Sequence, residues 1–569
     1  MEGVPVYSRS PFFINLKINF MSKQYYISTV DIFQKKTREL LLKAFSHIAD
    51  VVGSTMGPGG RTVSINEPAQ AVATKDGANI LRVMSYRDHF LHFASTILRD
   101  VTGRTVDRVG DGTTLTTLLT YKLLKAALTG SNKDNVYEKL ENMRLQVDDI
   151  KRLINKIKYK LDLASEKDIR ILRNVATISA NNNVEYGMLV SEVVSEIGKD
   201  GYVSVKESMT GHNYSEKKRG YVLGAGAVHR AFLRNQKKVL VRDPYTLIID
   251  SELDDYDKDV QMVIKGWLQR NKLDGHESPK PLVLFVRSLK GPAIQFLISN
   301  AQKLPIYCVQ IPTFLYKRSD RYDIIKDLQE VCGISRLYSP VEGYDIKQWD
   351  NDEDSIDSFG RVKQIEIQET ECGIEYEGVK DVEEKVNRRI ADLESKIDDE
   401  PDNKLLKTRL GILRSGIGVI YVDIASETEK KYVLDLLDDS TKACFSALKN
   451  GVVPGGGQTL LRIAYHDIFK KSILHNVLTS PFRIIMDNSG YSGKYISEVS
   501  KKLRAENYMV VFNAKTRAYN LVRDTDVWDP AEVAIEALDN AMSAVNMATS
   551  RYMINIEMNE DENKSGENS

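Results

Sequence analysis

Gly110-Asp111-Gly112-Thr113-Thr114, followed by Leu115-Thr116-Thr117-Leu118-Leu119, is the stretch from which the rest of the chain can be read. Two glycines flank a carboxylate, hydroxyls follow, and the apolar run behind them predicts a helix. Glycine permits a φ > 0 turn and lets backbone N–H groups approach an anion. A helix opening there aims unpaired N–H groups and the positive end of its dipole at that anion. Asp111 is then placed to hold a divalent cation, and the hydroxyls of Thr113 and Thr114 to reach phosphate oxygens. No GxxxxGKS or GxxxxGKT run occurs, so such a cradle would lack the P-loop lysine. The same residues also read as an N-capped helix after a tight turn, with no ligand.

The chain has 569 residues, more than one hydrophobic core usually serves, so two or three domains are expected. Hydrophobic residues make up 42% and charged residues 28%, as in a soluble globular protein. Lys+Arg and Asp+Glu are both 79, a formal net charge of +0, which argues against nucleic-acid binding driven by bulk charge. Cys308, Cys332, Cys372 and Cys444 are scattered with no CxxC, which suits a reducing compartment and suggests neither a zinc site nor a disulfide framework. No apolar run reaches the length of a membrane span. Residues 1–20 lack signal-peptide architecture, and Met21-Ser22-Lys23-Gln24 reads like an ordinary start. Residues 1–20 are therefore expected to be an extension outside the fold, with a targeting role as the alternative.

Outward from Gly110, Phe90, Phe93, Ile97 and Val101 share a helical face. His89 and His92 have no partner at ligand spacing and read as surface or packing residues. Upstream, Leu41, Phe45, Ile48 and Val52 predict a helix from Ser28 to Val52. The turn-rich loop Thr55-Met56-Gly57-Pro58-Gly59-Gly60 follows, then a hairpin built from Thr62–Ile65 and Val72–Gly77. Residues 135–165 predict a long helix. From about residue 200, short β-rich runs such as Tyr245–Asp250, Pro281–Val286 and Ile306–Val309 alternate with helical stretches, which predicts an α/β domain inserted in a helical one. Residues 349–358 read as a solvated acidic loop, and 380–413 as a charged helical hairpin turning at Pro401-Asp402-Asn403. Helical texture resumes after Gly416, with a helix from Tyr432 to Leu448. A last helix is predicted at Asp529-Pro530-Ala531-Glu532, with Asp529 as its cap and Glu532 closing a capping box. The tail from Asn559 is polar and expected to be disordered.

In the same order, from about residue 25 to 555, these pieces resemble group I chaperonins, the GroEL type. The matching runs are Thr55-Met56-Gly57-Pro58, Thr74-Lys75-Asp76-Gly77, Gly110–Thr114, Ile178-Ser179-Ala180-Asn181, Lys280-Pro281-Leu282, Gly451–Gly457 and Asp529-Pro530. The resemblance implies a multidomain fold mixing α+β and α/β parts. A helical equatorial domain comes from 21–157 and 451–555, and a small intermediate domain from 158–212 and 416–450. An α/β apical domain spans 213–415, and 556–569 form a tail. It also implies an ATPase that folds other proteins inside a ring.

Carried over by position, Thr55, Met56, Gly57 and Pro58 correspond to a first nucleotide loop, Lys75 to a phosphate contact and Asp76 to a carboxylate that helps set the attacking water. Asp111 resembles the magnesium ligand, and Gly112, Thr113 and Thr114 the phosphate contacts. Gly456, Asn513, Ala514 and Asp529 correspond to base and ribose contacts. Asp439 matches the intermediate-domain carboxylate that completes the site. A helical wheel supports it over Asp438, since Asp439 borders the apolar stripe Val433-Leu437-Cys444-Leu448. Leu115 departs from the family, which has a third threonine there. The implied cofactors are ATP and Mg2+, with K+ as a further candidate cation.

By the same resemblance, Tyr221, Val260, Val263, Ile294 and Ile298 are candidates for a rim that binds unfolded proteins, although the same faces could pack inward. Ala225, Gly226 and Ser299 depart from the family's apolar pattern. Gly416 and Gly451 stand at expected hinges. The implied partners are identical subunits in a sevenfold ring, unfolded proteins and a co-chaperonin lid, with neither nucleic acid nor membrane. Between Leu461 and Pro481 the chain looks short, and Ser492 replaces an acidic residue, so a single ring is weighed against a double one. Such drift suits a divergent, virus-encoded member acting in a host bacterial cytoplasm. A ring-forming holdase or scaffold with little ATP turnover is the alternative. A group II chaperonin is disfavoured, because no lid-like insertion lies between Leu282 and Pro312.

Overall fold

In the computed structural model the described residues are 14–20, 23–32, 34–66, 71–129, 135–199, 201–208, 210–234, 236–312, 318–349, 353–400, 403–424, 427–505 and 510–558. The chain forms two units. One is built from both ends, up to Ser191 and from Tyr432, and the other is the contiguous middle, Glu192–Lys431.

In the split unit, helices Lys35–Gly53, His89–Val109, Val136–Ile157 and Ala531–Ala548 gather on helix Thr113–Leu128 around one apolar core. Leu119, Leu123 and Leu124 of the central helix are fully buried, and so are Thr116, Thr117 and Thr120. The threonines are tolerated there because their hydroxyls return to the helix. Thr117 Oγ1 donates to the Thr113 carbonyl at 2.9 Å, and Thr120 Oγ1 to the Thr116 carbonyl at 2.8 Å. A second cluster of Leu461, Phe482, Met486, Ile496 and Phe512 sits under helices Gln458–Ala464, His475–Asn488 and Gly493–Ala505.

Several expectations are corrected. Residues 28–31 are not helical: strand Lys23–Asp31 precedes the helix, which starts at Lys35. That strand pairs antiparallel with Ile14–Phe20 on one side and Tyr552–Met558 on the other. Part of the expected extension therefore belongs to a sheet. Its period-two alternation of Ile14, Leu16, Ile18 and Phe20 is the pattern of a strand. Residues 1–13 and the tail from Asn559 lie outside the described residues. Asp529 does not cap the last helix. Its backbone pairs with Val453 in a two-stranded ladder, the helix begins at Ala531, and the Asp529 carboxylate accepts the Gly456 N–H instead.

Among its described residues the middle unit holds three small sheets. The first runs in the order Ile306–Gln310, Leu282–Leu289, Tyr245–Leu253 and Gly360–Arg361, with the first three strands parallel. Near-continuous apolar runs such as Leu282–Val286 are what a parallel strand buried on both faces requires. The expected helical hairpin is present as Lys380–Asp399 and Lys404–Ser415, and Asn403 Oδ1 accepts the N–H groups of Leu405 and Leu406. The acidic stretch is not simply a solvated loop. Trp349 and Ile356 in it are buried, and Glu353–Ile356 is helical, with 350–352 outside the described residues.

Asp327, Asp250 and Glu375, buried in this unit, carry cations. Asp327 receives Arg389 Nε at 2.8 Å and Arg409 Nε at 2.6 Å, and Asp250 receives Arg287 Nε at 3.0 Å and also Arg321. Glu375 receives Lys363 at 2.9 Å and Lys206 at 3.3 Å. Among the described residues, no helix is long and apolar enough to cross a membrane. The four cysteines are free and buried.

Candidate functional site

The GDGTT run forms two helix ends back to back. Helix His89–Val109 stops at Gly110, whose φ is +72°, and helix Thr113–Leu128 opens at Gly112, whose φ is +101°. Asp111 lies between them and accepts the Gly112 N–H. A Cβ on Gly110 would stand 2.4 Å from the Asp439 carbonyl oxygen. Glycine is therefore what allows helix Glu427–Asn450 to approach this closely. Ser440 fixes that helix from the other side, its Oγ donating to the Ala176 carbonyl at 2.9 Å.

Around this junction lies a cavity of about 660 Å³. Thr55, Met56, Gly57 and Pro58 contribute one wall, ahead of Lys75 and Asp76. Asp111, Gly112, Thr113 and Thr114 line it at the head of the central helix, and Asp439 from helix Glu427–Asn450. Gly456, Asn513, Ala514 and Asp529 complete the set. Every nucleotide-site residue expected from the sequence thus faces one space. Asp438 does not line it and is paired with Lys442 at 2.9 Å.

The carboxylates here are short of cations. Asp76 caps helix Gly77–Val83, accepting the Ala78 and Asn79 N–H groups at 2.9 and 3.2 Å. Burial nevertheless raises its pKa above the usual carboxylate value, with Asp435 adding to the rise. Burial also raises Asp111, reinforced by Asp76. Asp439 is raised well above the ordinary range by burial, then by Asp438, Asp76 and Asp111, with Lys442 opposing. Asp529 is pushed up to about 7 by burial and by Asp111. Perturbed carboxylates converging in a cleft mark a functional site, because a bound cation would relieve their mutual repulsion. Among the described residues no three His, Cys, Asp or Glu side chains could hold a metal by themselves. The donor set instead suits an ion that takes one carboxylate and further oxygens from a ligand.

Lining residues that the sequence reading did not assign include Arg173, Asn174, Tyr432, Lys515 and Asp526. The run Ile178–Asn181 points to their neighbourhood, but nothing local marks an arginine one turn earlier as lining. In the middle unit, the rim candidates divide. Tyr221, Val260 and Val263 are 3%, 1% and 1% exposed and belong to apolar cores, whereas Ile294 and Ile298 on helix Gly291–Asn300 are half-buried.

Among the solved structures that share this fold are two of the chaperonin gp146 from the bacteriophage EL 2 (Pseudomonas aeruginosa), both crystallised in the presence of ATP-BeFx. Crystal form II aligns with a TM-score of 0.64 at 18% identity, over 92% of this chain and 98% of that one. Crystal form I aligns with a TM-score of 0.59 at 19% identity, over 93% and 99%. The sequence pattern of the TCP-1/cpn60 chaperonins matches residues 48–548. With that match running from the first helix to the last, the chain belongs to the TCP-1/cpn60 chaperonin family.

Proposed function

We propose that this chaperonin hydrolyses ATP in the cavity around Asp111 and uses the cycle to fold other proteins. The observation that carries the reading is the convergence of residues from far-apart segments, Thr55 to Asp529, on one space rich in unpaired carboxylates. The N–H groups at the head of helix Thr113–Leu128 bind phosphate oxygens, with Lys75 and the hydroxyls of Thr113 and Thr114. Asp111 is the protein ligand of Mg2+, which when bound neutralises charge on the phosphate oxygens. Asp439, with Asp76 beside it, orients the attacking water and takes its proton, a task for which a raised pKa is suited. Asn513, Ala514, Gly456 and Asp529 hold the base and ribose. Magnesium-dependent steady-state turnover, lost in Asp439→Ala while nucleotide binding persists, is the expected result. Parent protein that neither binds nor hydrolyses ATP would refute the reading.

The same reading takes the chain as a divergent, virus-encoded group I member working in a host bacterial cytoplasm. Residues 21–157 with 451–555 are its equatorial domain, 158–212 with 416–450 its intermediate domain and 213–415 its apical domain, with hinges at Gly416 and Gly451. Subunits assemble into a sevenfold ring, single or double, with unfolded proteins as clients and a lid protein as co-chaperonin. Ile294 and Ile298 are the rim residues with free surface for clients. The positive φ of Gly416 and Gly451, +74° and +86°, supports glycine at both hinge positions. One observation favours a holdase with slow turnover as the second reading. Leu115 packs partly into the apolar core and offers no hydroxyl to the cavity. Capture of an unfolded client without ATP-dependent release would support it.

A further inference from the structure

We infer that Arg173 is a phosphate-binding residue of this cavity, contacting the phosphate chain of the bound nucleotide; the inference rests on the nucleotide reading above. Arg173 is half-buried on helix Glu166–Ser179 and lines the cavity. Its Nε is enclosed and has no hydrogen-bond partner, and among the described residues its guanidinium makes no ion pair. The neighbours on its helix are differently placed. Arg170 lies 3.8 Å from Asp526, and Asn174 Nδ2 donates to the same carboxylate at 3.1 Å. The Asp526 carboxylate is thus met by other residues, and the arginine is left over.

Charge balance gives that surplus a purpose. Five aspartates line the cavity against Lys75, Arg173 and the exposed Lys515. A polyphosphate entering so acidic a space needs positive charge beyond one divalent ion. A guanidinium supplies it with a planar fork of donors that matches phosphate oxygens. The helix is also tied to the catalytic side of the cavity, since the Ala176 carbonyl, three residues on, accepts from Ser440 beside Asp439. Arg173 is therefore a binding residue on the phosphate side and contributes nothing to recognition of the base.

Calorimetric titration of wild type, Arg173→Ala and Arg173→Gln with MgATP, MgADP and adenosine tests this. Both variants are expected to bind MgATP and MgADP at least tenfold more weakly than wild type, with adenosine affinity within twofold. Unchanged MgATP affinity in the variants overturns the inference, and so does an equal weakening of adenosine, which would mark a structural role. Should Arg173→Ala fail to fold, Arg173→Gln, which keeps the stem and a donor, decides alone by the same criteria. Wild type that binds no nucleotide overturns the parent reading and this one together. Normal wild-type binding with unaltered variants overturns this one only.

Discussion

Each unit encloses a group of carboxylates, and the two groups are treated in opposite ways. In the middle unit, Asp327, Asp250 and Glu375 are each matched by arginine or lysine within hydrogen-bond reach, and Glu375 is held below its usual pKa despite burial. In the split unit, Asp76, Asp111, Asp439 and Asp529 face one another, and all four are raised. The first set is electrostatically complete and holds elements together. The second is incomplete without something from outside, which is what a binding site for a cation and its phosphate ligand looks like.

The contrast can be broken by substitutions that cross it. Asp439→Ala should reduce ATP turnover about 1,000-fold, equivalent to about 4 kcal/mol, while leaving the melting temperature unchanged or higher. A lower melting temperature with intact turnover would make Asp439 a structural carboxylate like Asp327. The converse change, Arg409→Met, leaves buried Asp327 with Arg389 as its remaining cation and should destabilise the middle unit by about 2 kcal/mol. Hydrogen exchange across 323–413 would report it, with nucleotide affinity unaffected. Gly110→Ala sharpens the contrast from the backbone side. The left-handed φ alone costs about 1–2 kcal/mol, and the added methyl would push helix Glu427–Asn450 away, so turnover should fall more than stability.

The smallest effect is expected from pH. The pKa of Asp529 near 7 lies above its unfolded value, so the folded unit binds that proton more tightly than the unfolded chain. The resulting stabilisation is present in acid and is lost as pH rises from about 4 through 7. In nucleotide-free protein, Asp529→Asn should therefore raise the melting temperature at pH 8 by roughly 5 °C and make no difference near pH 4. An equal shift at both pH values would refute the assignment.

The GDGTT run was legible because its chemistry is local: two glycines, a carboxylate and a helix start lie within five residues. The apolar strands of the middle unit were legible for the same reason. What could not be read depends on distant partners. The strand Lys23–Asp31 is flanked by Tyr552–Met558 from the far end of the described chain, and Asp529 is drawn from capping to Gly456 by a ladder with Val452–Pro454. Val260 and Val263 share a helical face in any reading, and whether that face packs inward is decided by the sheet beneath it. Arg173 carries no local mark at all, because a lining arginine and a solvated one occupy the same helical position.

Pairing of Lys23–Asp31 with Tyr552–Met558 has a consequence for how the molecule is made. On the ribosome, the contiguous middle unit emerges whole and can fold while synthesis continues, whereas the split unit must wait for its second half. Asn513 and Asp529 follow the whole middle unit in the chain, so that unit can be folded before a nucleotide can be recognised.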